Sequence, residues 1–190
     1  MAASSWALPV VAAFAAALTV SCSHSGIQSP TATASASPST SVAATNTAGR
    51  AKITFDPCTA IPASVIAEQK LDRRPPKPDR SSDGDIENNR CSYLAQARYG
   101  VSAVASNYTL EMDKKVDLHG DFKEFEINGR RALSFLIYKN DPTACAIDVE
   151  ATTGTYGVNV SSAMSKFGDF PDCFAAARAH LEAFLPYFPA

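Results

Sequence analysis

Five cysteines and three histidines are the side chains of this sequence best suited to chemistry. The histidines His24, His119 and His180 lie far apart in the chain, and a Ser–His–acid site would need one beside a nucleophile. No Gly-x-Ser-x-Gly elbow marks such a nucleophile, and no phosphate-loop or dinucleotide glycine pattern occurs. His119 stands between Asp117 and Asp121 beside Gly120, a set that could take a metal ion but reads more simply as a solvated turn. His180 is expected on the outer face of a helix. No cofactor and no enzymatic activity are therefore expected.

The cysteines divide by context. Cys22 closes an apolar, Ala-rich run that begins at Trp6 and is interrupted by Pro9. At about fifteen residues this run is short of the ~20 needed to span a bilayer, and suits the apolar core of a secretory signal. Its end, Leu18-Thr19-Val20-Ser21-Cys22, resembles the lipobox of bacterial lipoproteins, in which the Cys takes a diacylglyceryl thioether and becomes the mature N-terminus. Thr19 stands where that pattern has Leu, and no Lys or Arg precedes the run. The alternative is an ordinary signal cut near Ala15-Ala16-Ala17, with secretion. Lipidation of Cys22 leaves Cys58, Cys91, Cys145 and Cys173, an even set that can form two disulfides in an oxidising compartment. Three connectivities remain open. Metal or redox use is the competitor, but there is no Cys-x-x-Cys and no zinc-ligand spacing.

Charge follows the same division. No Asp, Glu, Lys or Arg occurs before Arg50, so all 17 basic and 19 acidic residues crowd into the rest of the chain. Their density there is that of an ordinary soluble domain. The net charge of -2 argues against a nucleic-acid partner. Residues 23–51 are mostly Ser, Thr and Ala with Pro30 and Pro38, with no Phe, Trp or Tyr and no hydrophobic period. Such a segment buries too little to offset its backbone entropy, and is expected to be a disordered tether or a glycosylated stalk. The domain division is thus a signal peptide at 1–21, a lipid-anchored tether at 22–51 and one disulfide-bonded globular domain at 52–190.

Within that domain, Asp56-Pro57 starts a helical turn, and 62–71 continues as a short helix with Ile61, Val65 and Ile66 inward. Residues 71–89 hold Pro75, Pro76, Pro78 and Gly84 among many charges, and read as a long solvated loop. There Arg73, Arg74, Lys77 and Arg80 form a basic patch surrounded by acids. It reads as a solvated mixed-charge face, or else as a docking loop for an anionic partner. Cys91, Tyr93, Ala95 and Ala97 alternate on a first strand, and 101–110 follows as its partner. Asn128-Gly129 is a hairpin turn between strands at 122–127 and 131–138. Residues 144–151 and 156–161 form another pair. Residues 171–185 are a closing helix capped by Asp169, with Phe174, Ala177, Leu181 and Leu185 on one stripe. Phe184, Tyr187 and Phe188 are expected to pack back on the sheet, the alternative being an exposed aromatic patch. The fold class is α+β: an antiparallel sheet of about six strands in hairpins, packed with an N-terminal and a C-terminal helix.

Asp56-Pro57-Cys58 before a short helix, Cys91-Ser92-Tyr93 on a strand, and Ile127-Asn128-Gly129-Arg130-Arg131-Ala132 recur in order with Cys145-Ala146-Ile147-Asp148-Val149 and Cys173. Together these motifs resemble the actinobacterial lipoproteins of the domain of unknown function 3558 family, over about residues 53–185. The resemblance implies export and tethering, the pairing Cys58–Cys91 and Cys145–Cys173, and an α/β sandwich similar to PsbP-like domains. It supplies no catalytic residue. The expectation is a non-catalytic envelope lipoprotein, anchored at the outer face of the cell membrane, that binds a protein, glycan or lipid. An envelope hydrolase, or a carrier of an apolar ligand, is the alternative.

Overall fold

The computed structural model describes residues 44–190, so the signal, Cys22 and most of the tether lie outside the described residues. Two short helices open the domain, α1 (Pro57–Ala60) and α2 (Ala63–Glu68). Asp56 caps α1, its carboxylate accepting from the Cys58 N–H at 2.9 Å. Seven strands follow: β1 (Lys77–Asp83), β2 (Ile86–Leu94), β3 (Gly100–Ser106), β4 (Gly120–Ile127), β5 (Arg130–Leu136), β6 (Ala144–Ala151) and β7 (Gly154–Ser161). A short helix, α3 (Leu110–Asp113), lies between β3 and β4, and α4 (Cys173–Phe184) closes the chain before a 3-10 turn at Leu185–Tyr187. The strands form one antiparallel sheet in the order β1-β2-β3-β7-β6-β5-β4.

This is the sheet-rich α+β architecture expected, with seven strands rather than about six and a third short helix. The extra strand lies in the segment read as a solvated loop. Every residue of β1 is exposed, so no hydrophobic period could announce it. The ladder to β2, from Lys77↔Ser92 to Asp83↔Ile86, holds it instead. Charged residues and Pro78 fit an edge strand, where a missing N–H is tolerated and the open edge is made unattractive to pairing. Consequently β2 begins at Ile86 rather than Cys91. At the opposite edge, Asn128 and Gly129 take positive φ of 49° and 74°, as the β4–β5 turn requires.

The sheet has two unlike faces. One carries Tyr93, Val101, Ala103, Val158, Ile147 and Val149, all buried beneath α1, α2 and α4. Both disulfides lie on this side. Cys58–Cys91 joins α1 to β2 with Cα atoms 5.0 Å apart, and Cys145–Cys173 joins β6 to α4 at 6.0 Å. These are the pairs that the family resemblance implied. The cap of α4 is Asp172, which accepts from the Ala175 N–H at 2.8 Å, rather than Asp169. The buried stripe accordingly runs through Cys173, Ala177, His180, Leu181 and Phe184, while Phe174 is half-buried. Phe184 and Phe188 are buried, the latter packed against Tyr156 and Phe55, so the tail folds back on the sheet, but Tyr187 is exposed.

Residues 44–51, assigned above to the tether, are pinned to the β1–β2 hairpin. Asn46 and Asn107 both donate to the Asp85 carbonyl at 2.9 Å, Asn107 also donates to the Ala51 carbonyl, and Arg50 pairs with Asp85. Side-chain amides make this attachment without apolar burial, so composition gave no sign of it.

Candidate functional site

The other face of the sheet is built from the alternate residues of the same strands. Register places Arg90 opposite Val104, Val104 opposite Gly157, and Gly157 opposite Asp148. These four form one row across β2, β3, β7 and β6. A second row runs Asn88, Ser106, Thr155, and a third Ser92, Ser102, Asn159, Ala146, Phe135. This floor is polar at its centre and apolar toward β5.

The strand β7 has a glycine where the Asp148 carboxylate lies. A Cβ on Gly157 would fall 1.8 Å from Asp148 Oδ1 and 2.6 Å from the Ile147 carbonyl oxygen. Only a bare backbone lets the carboxylate lie across the neighbouring strand.

The wall comes from α3 and the loop after it. Thr109 caps α3 by accepting from the Met112 N–H at 3.3 Å. Leu110 anchors the segment against Leu133, Phe135 and Ala146. At its outer side Lys114 pairs with Glu111 and Glu124, and Arg131 reaches Glu111 at 3.1 Å. Exposed pairs of this kind stabilise little, but together they tie α3 to β4 and β5. The result is that Asp113 points inward, 5% exposed, facing Asp148.

Between floor and wall is a cleft of about 320 Å³, lined among others by Arg90, Tyr108, Asp113, His119, Asp148 and Asn159. Burial pushes both Asp113 and Asp148 well above the ordinary carboxylate range. The charge of Asp148 raises Asp113 further. Two carboxyls this close cannot both ionise easily, so they share a proton. The His119 ring stacks on Phe135 with centroids 4.5 Å apart, and burial pushes its pKa down, against a smaller opposing effect of the Asp113 backbone. Among the described residues three buried side-chain polar atoms lack a hydrogen-bond partner: Arg90 Nε, Asp113 Oδ2 and His119 Nδ1. All three belong to residues lining this one cleft. Buried polar groups are almost always paired, so three orphans converging on one cavity point to a missing partner.

The residues singled out from sequence fare unevenly. His119 belongs to the cleft, but its neighbours Asp117 and Asp121 are exposed. Among the described residues no group of three His, Cys, Asp or Glu is set to hold a metal. His180 is 1% exposed rather than a surface residue. Its Nδ1–H donates to Gln69 Oε1 and its Nε2 accepts from the Tyr99 hydroxyl, both at 2.9 Å. Burial pushes it down to about 4, so it stays neutral. The basic patch is exposed, with Arg80 paired to Asp56 and Arg73 donating to the Gln96 carbonyl. Beside it, α1, α2 and residues 72–76 enclose a second, more apolar cavity of about 430 Å³, lined by Ile61, Ile66, Pro75, Pro76 and Tyr93.

Arg90, Asp113 and Asp148 were missed. Two signals were present: Gly157 interrupting a strand, which marks close approach, and Asp148 inside the apolar run 144–149. Asp113, amid charges at 111–115, looked like any solvated residue.

Fold and cleft together define a sheet-rich α+β domain with one helix-covered face and one open polar face. The chain belongs to the family described as Protein of unknown function (DUF3558), whose sequence profile matches residues 17–187. No curated protein and no solved structure matches it. Among the described residues no helix is long and apolar enough to cross a membrane.

Proposed function

We propose that this protein is an exported, lipid-anchored envelope lipoprotein of actinobacterial type, whose domain is a non-catalytic binding module with the open-face cleft as its ligand site. One observation carries the site: Arg90 Nε, Asp113 Oδ2 and His119 Nδ1 are buried, unpartnered and gathered on a single cavity. The apolar run ending at Cys22 and the uncharged stretch after it support the anchor. The anchor would sit at the outer face of the cell membrane, with secretion as the alternative. The helices on one side of the sheet support the likeness to PsbP-like sandwiches.

The anchor is tested by Cys22→Ser, which is expected to abolish lipid attachment and give released or unprocessed protein. Intact mass showing an unmodified Cys22 within a longer mature chain refutes it. The site is tested by ligand capture from envelope extract with native protein and with Asp113→Asn/Arg90→Gln. A small molecule retained by the first and lost from the second is expected; equal retention refutes the cleft.

Two other readings have an observation each. A proton-sharing acid pair could serve an envelope hydrolase as general acid and base, and the cavity beneath α1 and α2 suits an apolar ligand. Binding ranks first because the orphaned atoms need only a partner. Catalysis also needs a scissile bond held between donor and acceptor, and the sequence carries no nucleophile elbow.

A further inference from the structure

The two ends of the cleft differ in charge and in what they lack. At the β2 end, Arg90 Nε has an N–H without an acceptor. At the β6 end, Asp113 Oδ2 has no donor, and the carboxyl pair holds only the proton that it shares. Arg90 and Asp148 occupy one register row with Val104 and Gly157 between them. Three strand spacings separate their backbones, about 14 Å, and both side chains line the same cleft. The Asp148 carboxylate lies across Gly157, one strand nearer Arg90 than its own backbone. His119 is the histidine that lines the cavity, and burial lowers its pKa, which favours the uncharged ring.

These features select among ligand classes. A simple cation would serve the acid end alone, and a simple anion Arg90 alone. A neutral polyol could hydrogen-bond at both ends but would bring no counter-charge to either. A molecule with an anionic oxygen pair at one end and an ammonium at the other answers both. We propose that the cleft binds a small zwitterion of the amino-acid class, its carboxylate on Arg90 and its ammonium on Asp113 and Asp148. A guanidinium fork matches a carboxylate in two parallel hydrogen bonds. An ammonium has three donors, enough to serve both carboxyls and replace the proton they share. Phe135, Val116 and Ile137 give a short aliphatic portion an apolar wall. The proposal rests on the cleft being the binding site.

The test is calorimetric titration of the full chain with glycine, β-alanine, γ-aminobutyrate and glycylglycine, a series in which the two charges move apart. Each is paired with its methyl ester and its N-acetyl form, and glucose serves as the neutral control. At least one zwitterion is expected to bind, with blocking of either end weakening it about tenfold or more. Arg90→Gln is expected to erase the difference between acid and ester, and Asp148→Asn the difference between free and acetylated amine. Should either truncation unfold the domain, Arg90→Lys and Asp148→Glu keep the charge while moving it, and are expected to shift the preferred member of the series. Equal binding of blocked and free forms, or no binding by any zwitterion at millimolar concentration, overturns the proposal. Glucose binding that is lost in Asp148→Asn overturns the zwitterion while keeping the cleft. Binding of any probe that ignores all four variants overturns the cleft reading itself.

Discussion

His180 and Asp113 are both buried polar side chains, on opposite faces of one sheet, and only one of them is satisfied. On the covered face, both ring nitrogens of His180 on α4 have partners, Gln69 at the end of α2 and Tyr99 in the β2–β3 connection. On the open face, Asp113 Oδ2, Arg90 Nε and His119 Nδ1 have none. A satisfied buried polar group specifies how elements dock. An unsatisfied one costs stability in the free protein and is retained where something else supplies the partner. By this measure the covered face holds the fold, and the open face is where we propose that a ligand binds.

The largest expected effect is on the covered face, where both disulfides lie. Cys145→Ala/Cys173→Ala opens a loop with a sequence separation of 28, worth about 3.5–4 kcal/mol in the chain-entropy model. That is a large share of a typical ~5–15 kcal/mol domain stability. Urea unfolding should show the loss, together with early release of α4. A loss under about 1 kcal/mol would mean that α4 is held by packing alone.

Next comes pH. Burial depresses His180 from 6.5 to about 4. Between those values the unfolded chain binds the extra proton, so stability is complete above about pH 6.5 and is lost as pH falls toward 4. The full loss is about 3 kcal/mol. His180→Gln should flatten this part of the stability profile relative to native protein. Parallel slopes for the two would break the assignment of His180 as a neutral structural clamp.

The same contrast explains what the sequence disclosed. The covered face was legible because its elements alternate apolar residues or repeat them at helical spacing: Cys91 and Tyr93 on β2, Ala177 and Leu181 on α4. Asn128-Gly129 fixed the β4–β5 hairpin by backbone chemistry alone. The edge strand β1 was illegible because it buries nothing, and hydrogen-bonding to β2 leaves no trace in residue type. His180 was misplaced because helical spacing was read from Phe174, whereas Asp172 sets the start and turns the stripe toward Cys173 and His180. The cleft was nearly invisible for a different reason. Its residues come from β2, α3, the loop after it and β6, and only sheet register brings them together. Gly157 and Asp148, set inside the apolar run 144–149, were the two local clues.

That glycine gives the third prediction, on the open face. Gly157→Ala puts a methyl group where the Asp148 carboxylate lies, and is expected to cost about 1–3 kcal/mol through overpacking. Because the clash displaces Asp148, ligand affinity should fall even in molecules that remain folded. Thermal unfolding and titration on one sample separate the two. Unchanged binding by the folded fraction would show that the Asp148 position does not matter to the cleft.

The smallest expected effect has the opposite sign and is the sharpest test of the contrast. Burial raises both Asp113 and Asp148, so the unfolded chain gives up these protons at lower pH than the folded one. The stability linked to the pair is therefore complete at acid pH and is lost as pH rises through the raised titrations. Asp113→Asn removes one ionisation and supplies an N–H that Asp148 can accept. The variant should match native protein in acid and exceed it, by an amount of order 1 kcal/mol, once the pair ionises. The same change removes half of the acid end of the cleft, so a gain in stability should come with a loss of ligand. His180→Gln differs at neutral pH, where it breaks the bonds to Tyr99 and Gln69 and is expected to lose stability. Denaturant midpoints for Asp113→Asn across the neutral and mildly alkaline range decide the matter: a variant less stable than native protein throughout would make Asp113 a structural residue, and the two faces would no longer differ in kind.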